Sequence, residues 1–557
     1  MPAGLPSVGV DALRPDELRV VQRGLPSLER VEVCLGALLV LALAYAHWEV
    51  RRNTGALWRD EVSSVNVATL QTFGEMLRNH HWDSFPILWC VVLRGWIALG
   101  FGDSDLGLRT FGTLIGCALV AALWWSSRRF GQCVPLLSLV VFAACPTALR
   151  YGDAVRGYGL GVLLLLVAFG AIWSLVERCS TRRALIALAA SLFAVQSLFT
   201  NSAMLLAIGI AGAAVSARRR DWRALRWLVA IGLVSVASML PYLRVLAMHS
   251  EWSMLVRTPV DYAWIADRFS TAVNASGPFA FWVWLALFAL TLATCAIVVM
   301  RSTASERDRG LALFTATTLV AGVACFTAYI KVLSVMTHPW YYLPIMALAA
   351  VGFDLGVDLL VRASRAGRIL RLVGVVAIAV ASLPEVRASL PLRATTMDAI
   401  AAELERRAAK DDLIVVHPWH VGITFARYYH GAAPWMIVPD LDTRLFQPYG
   451  AYKQRMAQPN PIDGELERIA ATLRGGHRVW LAGQQRFLKP GEQPGRLPPA
   501  PHGPQGWHEP AYNVLWSRQT AHLLQTRSRD LRPVPLPWRG PTLWYENFPL
   551  AVAKGWR

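Results

Sequence analysis

The sequence predicts a polytopic α-helical membrane protein with about eleven transmembrane helices, outer juxtamembrane helices and a small C-terminal α/β extracytoplasmic domain. Three observations carry this. The 557-residue chain is 55% hydrophobic and only 17% charged, too apolar for an ordinary soluble protein. Apolar stretches that approach the roughly 20 residues needed to cross a bilayer recur between residues 31 and 384. After Leu383 and Pro384 this pattern stops and short alternating elements take over. The chain therefore divides into a cytoplasmic N-terminal segment (1–30), a membrane domain (31–385) and a soluble domain (386–557).

The spans fall near 31–49, 106–126, 133–149, 157–176, 184–199, 202–217, 225–247, 279–300, 311–330, 341–361 and 369–384. Residues 85–101 are also apolar, but Arg94 interrupts them, and parity places them in the interface. With that assignment, the loops carrying Arg128 and Arg129, Arg178 to Arg183, Arg218 to Arg226, Arg301 to Arg309 and Arg362 to Arg371 share one side. They hold 17 lysines and arginines against 5 in the four intervening loops, so the rich side is cytoplasmic. Asp60, Glu61 and everything after about 385 then lie outside. No cleavage pattern follows the first span, which is read as a retained signal anchor.

Much of the formal charge of +18 is loop arginine beside spans, as insertion requires. Residues 386–557 hold 22 basic against 14 acidic residues but no arginine-rich blocks interleaved with stacking aromatics, so a nucleic-acid partner is rejected. Membrane lipid, through anionic head groups or a phosphate-bearing lipid, accounts for the excess. All eight cysteines precede residue 326, which excludes a disulfide framework or a cysteine zinc site in the C-terminal domain.

In that domain 395–410 reads as an amphipathic helix, DDLIVVHP as a strand, 420–430 as a helix and WMIVP as a second strand. GELERIAATLRGG is a helix with a glycine stop, and HRVWLAG a third strand. This alternation predicts a parallel sheet, followed by a Pro/Gly-rich loop at 488–510 and a closing hairpin in the tail RPVPLPWRGPTLWYENF. No glycine-rich phosphate loop follows a strand.

Four polar clusters could carry chemistry. Asp60 and Glu61 stand side by side just beyond the first span, with Arg59 before them; they read as an acidic cap on a helix at 61–77 or as catalytic groups. His80, His81 and Asp83 could ligate a divalent metal, but their spacing fits no standard zinc pattern, so hydrogen bonding to a polar substrate is preferred and no cofactor is assigned. Asp153, Arg156 and Tyr158 occupy a short outer loop, where an arginine can grip a phosphate and a tyrosine can simply anchor the interface. Lys331, His338 and Tyr341 gather at the start of the tenth span as candidate substrate-binding residues, Lys331 and His338 as phosphate or pyrophosphate contacts.

In this order the clusters resemble the GT-C superfamily of polytopic glycosyltransferases, nearest to bacterial relatives of protein O-mannosyltransferases, aminoarabinose transferases and rhizobial lipopolysaccharide sugar transferases. The resemblance rests on Asp60–Glu61, on Pro86 to Trp96 (PILWCVVLRGW), on Gly102, Asp103, Ser104 and Arg109, and on Asp153, Arg156 and Tyr158. Departures are Ser84-Phe85-Pro86, where a double proline is common, and Tyr341-Tyr342, where Arg-Tyr is frequent. The resemblance covers roughly residues 30–360. It implies a bacterial inner-membrane enzyme that moves a sugar from a polyprenyl-phosphate donor to a glycan, lipid or protein acceptor on the outer face. Asp60 would then be catalytic base or acceptor-orienting group, with Glu61 beside it. The competing classes are a secondary transporter, disfavoured because the charges gather at one face rather than the midplane, and a non-catalytic scaffold or sensor, which would not need Asp60.

Overall fold

A computed structural model describes residues 15–131, 133–243, 260–334, 336–500 and 509–557, with side chains from residue 28 onward. Residues 1–14 of the N-terminal segment, the end of the span read at 225–247 with the start of its outer loop, and residues 501–508 of the Pro/Gly-rich loop lie outside the described residues.

Among the described residues nine helices are long and apolar enough to cross a membrane: Leu28–Thr54, Asp105–Gly131, Gly157–Glu177, Asn201–Arg218, Trp222–Tyr242, Ala280–Met300, Glu306–Leu333, Pro339–Val361 and Arg365–Ser389. Two of the eleven expected spans are different. The apolar run at 133–149 is punctuated by Pro135 and Pro146, which split it into short turns at Leu136–Ser138 and Leu139–Ala143 and a helix at Pro146–Gly152. The run at 184–199 yields a 15-residue helix, Thr181–Val195, about 22 Å long and short of the ~30 Å hydrocarbon core.

Local signals set the helix starts. Ser104, Ser180, Ser305 and Ser364 each accept a backbone N–H three residues on, capping four of these helices. Asp354, buried in the helix Pro339–Val361, accepts the Leu137 and Ser138 N–H groups at 2.9 and 3.0 Å. A carboxylate inside a membrane helix is thus explained by the donors that Pro135 leaves free.

We label α1 (Pro15–Thr54), α2 (Arg59–Ala68), α3 (Phe73–Asn79), α4 (Ile87–Trp96) and α5 (Asp105–Ser126). The single helix expected at 61–77 is two, because Thr72 and Glu75 form a capping box that starts α3 afresh. As expected, 87–101 is a short apolar helix rather than a span. Glycines bring α5 against the 150–156 loop: a Cβ on Gly112 would stand 1.9 Å from the Asp153 carbonyl oxygen.

The C-terminal domain holds a five-stranded sheet: β1 (Leu413–His417), β2 (Trp435–Ile437), β3 (Val479–Gly483), β4 (Ser528–Val534) and β5 (Leu550–Trp556), in the order β2-β1-β3-β5-β4. The first three are parallel, as the alternating pattern predicts, and β5 joins β3 and β4 antiparallel. The helix Glu509–Arg527 was not expected; its apolar residues lie all round it, so no periodic stripe announces it.

The domain docks on the membrane domain beside α2. Arg427 Nη2 and Tyr428 Oη bond the Asp105 carboxylate at 2.8 and 2.6 Å, Trp82 stacks on Phe446, and Tyr545 packs edge-on against Trp58.

Candidate active site

The site is built on the first turn of α2. Trp58 precedes it in extended conformation, and the Trp58 N–H donates to Glu61 Oε2 at 3.2 Å. Glu61 Oε1 also accepts the Val155 N–H at 2.9 Å, and Arg109 bonds both carboxylate oxygens while its Nη2 reaches the Ala56 carbonyl at 2.9 Å. Successive helical residues diverge by about 100°. Glu61 therefore points into the protein, 1% exposed, while Asp60 does not follow it. The structure does not bring Glu61, expected beside Asp60 as a catalytic group, to the open side of Asp60: Glu61 is the far half of a buried clamp with Arg109.

Asp60 Oδ1 accepts from Arg59 Nε at 2.8 Å, and both side chains keep part of their surface open, 20% and 25%. Burial alone would raise the Asp60 carboxyl, but Arg59, then Arg156 and His338, hold it below its ordinary value.

Arg156 is buried and works inward. Its Nη1 donates to the Asp60 carbonyl and Ser64 Oγ, both at 2.9 Å, and to Asp83 Oδ1 at 2.7 Å; its guanidinium lies 4.5 Å over the Phe85 ring. Asp83 completes the group by accepting from Ser64 Oγ at 2.7 Å. Burial raises the Asp83 carboxyl, with Arg156 opposing. Arg156 and Asp83 thus join α2 to the 150–156 loop, so that Arg156, expected to grip a phosphate, is placed as a support of the Asp60 turn. Arg156→Lys keeps the charge but loses the planar guanidinium that lies over Phe85 and the reach of Nη1 to its three acceptors. It is expected to lower thermal stability by about 1–3 kcal/mol and transfer together with it, read from melting of the detergent-solubilised variant.

The walls are aromatic. Tyr158 meets Phe85 edge-on at 4.9 Å and Tyr341 at 6.1 Å, and His338 stacks on Trp340 at 4.4 Å. His338 keeps an open face yet is walled round by protein, which pushes it down to about 4 and leaves it neutral at pH 7. Three groups from the C-terminal domain come near Arg59 and Asp60: His420, held well below its ordinary value by burial and Arg59; Tyr449; and Glu546, pushed up to about 8 by burial against the pull of Arg59. These sequence reasoning missed, because they lie more than 350 residues beyond Asp60 in segments without a motif.

Four expected site residues lie elsewhere. Asp153 Oδ2 bonds His47 Nδ1 at 2.8 Å in a buried pair against Gly116 of α5, so it faces the helix packing. Lys331 closes the helix Glu306–Leu333 with its ammonium 4.1 Å from the Tyr262 ring. His80 and His81 bond the Leu77 and Arg78 carbonyls at 2.8 and 2.9 Å, which is local capping of α3. With Asp83 turned to Arg156, this trio does not form a ligand set, and among the described residues no three His, Cys, Asp or Glu side chains could hold a metal ion. The divalent-metal reading of His80, His81 and Asp83 therefore does not fit these three residues.

No protein-family model matches the chain, and neither does any curated protein. Solved structures do share its architecture. ArnT from Cupriavidus metallidurans bound to undecaprenyl phosphate superposes with a TM-score of 0.51 at 13% identity, over 80% of this chain and 92% of that one. The same protein in the apo state gives 0.50 and 14% over the same shares. The Archaeoglobus fulgidus oligosaccharyltransferase complex with Zn and sulfate gives 0.46 and 9%, over 80% of this chain and 67% of that one. With nine long apolar helices among the described residues and a small C-terminal sheet domain, and with a superposition over four-fifths of its length, this chain has the fold of ArnT.

Proposed function

We propose that this protein is a glycosyltransferase of the bacterial inner membrane that moves a sugar from a polyprenyl-phosphate donor to a glycan, lipid or protein acceptor at the outer face. The observation that carries the reading is Asp60: an ionised carboxylate with open surface, set between Arg59 and Arg156 in what we take as the reaction chamber, bordered by His420, Tyr449 and Glu546 of the C-terminal domain. In the transfer, an acceptor oxygen attacks the anomeric carbon while the bond to the phosphate oxygen breaks. The electron pair leaves with the polyprenyl phosphate, and the acceptor proton passes to Asp60. A carboxylate this acidic serves first as hydrogen-bond acceptor, orienting the nucleophile and taking its proton late. Arg59, with a quarter of its surface open, is the guanidinium that can meet the phosphate, since Arg156 is buried. Tyr158, His338 and Tyr341 line the sugar side. Because one neighbour is bound to undecaprenyl phosphate, that lipid is the first carrier to test.

Purified protein in vesicles, given labelled undecaprenyl-phosphate sugar and glycan, lipid and peptide acceptors, is expected to yield labelled acceptor and free polyprenyl phosphate. No labelled acceptor in any arm would return the scaffold reading. The sidedness has its own test. In a cysteine-free background, cysteine at Asp442 of the C-terminal domain should react with an impermeant reagent from outside and cysteine at Ser302 should not, because Ser302 lies in an arginine-rich loop. The reverse pattern would remove the chamber from the outer face.

A further inference from the structure

The turn that carries Asp60 is gripped from two sides. Arg109 holds it from the membrane domain, through Glu61 and the Ala56 carbonyl. From the C-terminal domain, Tyr428 Oη accepts the N–H of Leu57 at 2.7 Å and donates to Asp105 Oδ2 at 2.6 Å. Arg427 Nη2 bonds the other oxygen of Asp105 at 2.8 Å. Leu57 is fully buried and directly precedes Trp58, the cap of α2, and Asp105 opens α5. The far end of α2 is also tied to the domain, where Asn66 Nδ2 donates to the Leu445 carbonyl at 2.9 Å. A buried backbone N–H without an acceptor is costly, so the Leu57 amide has its native setting only while Tyr428 is in place.

We propose that Tyr428 is a positioning residue: by bridging Leu57 to Asp105 it makes docking of the C-terminal domain a condition for the catalytic geometry of Asp60. The inference rests on the transferase reading of Asp60, but it concerns a residue outside the chamber and a domain for which that reading states only that it borders the chamber. Small displacements of a reacting group carry large kinetic losses, so loosening the turn before Asp60 should reach the chemistry without touching substrate.

Tyr428→Phe in the full-length protein removes one oxygen and keeps the ring. Hydrogen exchange of the amides at 56–62 in detergent or vesicles is expected to accelerate about tenfold, and kcat to fall about tenfold or more, with KM for the polyprenyl-phosphate sugar unchanged. Arg427→Gln, which frees one oxygen of Asp105 but leaves the Leu57 bond, should move both readouts less. Wild-type exchange at 56–62 in Tyr428→Phe would overturn the proposal, as would a fall in kcat with unchanged exchange there. Should the unaltered protein transfer no sugar, the transferase reading fails by itself, and the exchange experiment still decides whether Tyr428 holds the α2 turn.

Discussion

Asp60→Asn is expected to lower sugar transfer by roughly 100-fold or more while the protein still folds and inserts. The substitution keeps the shape and one accepting oxygen, so Arg59 retains a partner, but an amide cannot receive the proton of the attacking acceptor. The site's electrostatics add a second expectation. Asp60 sits below its ordinary value of 3.8, so it is ionised throughout the neutral range. The contribution of ionised Asp60 should be lost in strong acid, as pH drops through that depressed value, and the variant should lack that acid limb. The assay is transfer from labelled polyprenyl-phosphate sugar by folded variant protein; near-normal turnover would remove Asp60 from the chemistry.

Glu61→Ala is expected to act on stability instead. Arg109 is 5% exposed, and deleting its partner leaves a buried charge uncompensated, together with unpaired Trp58 and Val155 amides. Such losses cost about 3–5 kcal/mol, enough to lower the melting temperature sharply in detergent. The double variant Glu61→Gln, Arg109→Met should recover part of that loss, because no lone charge remains. A stability within about 1 kcal/mol of wild type for the single change would contradict the clamp. The two neighbouring acids thus give separable outcomes: one variant is folded and inactive, the other active only in its folded fraction.

The membrane architecture was legible because long apolar runs have one physical solution, and serine caps mark where several of them begin. The run at 133–149 was misread because its composition is that of a span while its two prolines forbid a continuous one. The motif residues beyond the acidic pair were visible, but not their duties. Arg94 caps the end of α2 through the Ala68 and Leu70 carbonyls, Ser104 caps α5, and Arg109 neutralises Glu61. Sequence shows that such residues are charged or polar near a membrane face; it does not show which of two adjacent carboxylates a helix turns outward. His420, Tyr449 and Glu546 were out of reach because only tertiary docking brings the C-terminal domain to Asp60.

The position of β5 has a consequence for biogenesis. It lies between β3 and β4, although both are synthesised before it. While the ribosome has yet to deliver residues 550–556, β3 presents an unpaired edge, and β4, which pairs only with β5, has no partner. Tyr545 and Glu546, which reach the Asp60 turn, stand just ahead of that strand. A nascent chain can therefore seat the nine long apolar helices found among the described residues and still lack the groups that come to Asp60 from the C-terminal domain, so competence arrives in one late step rather than growing with length.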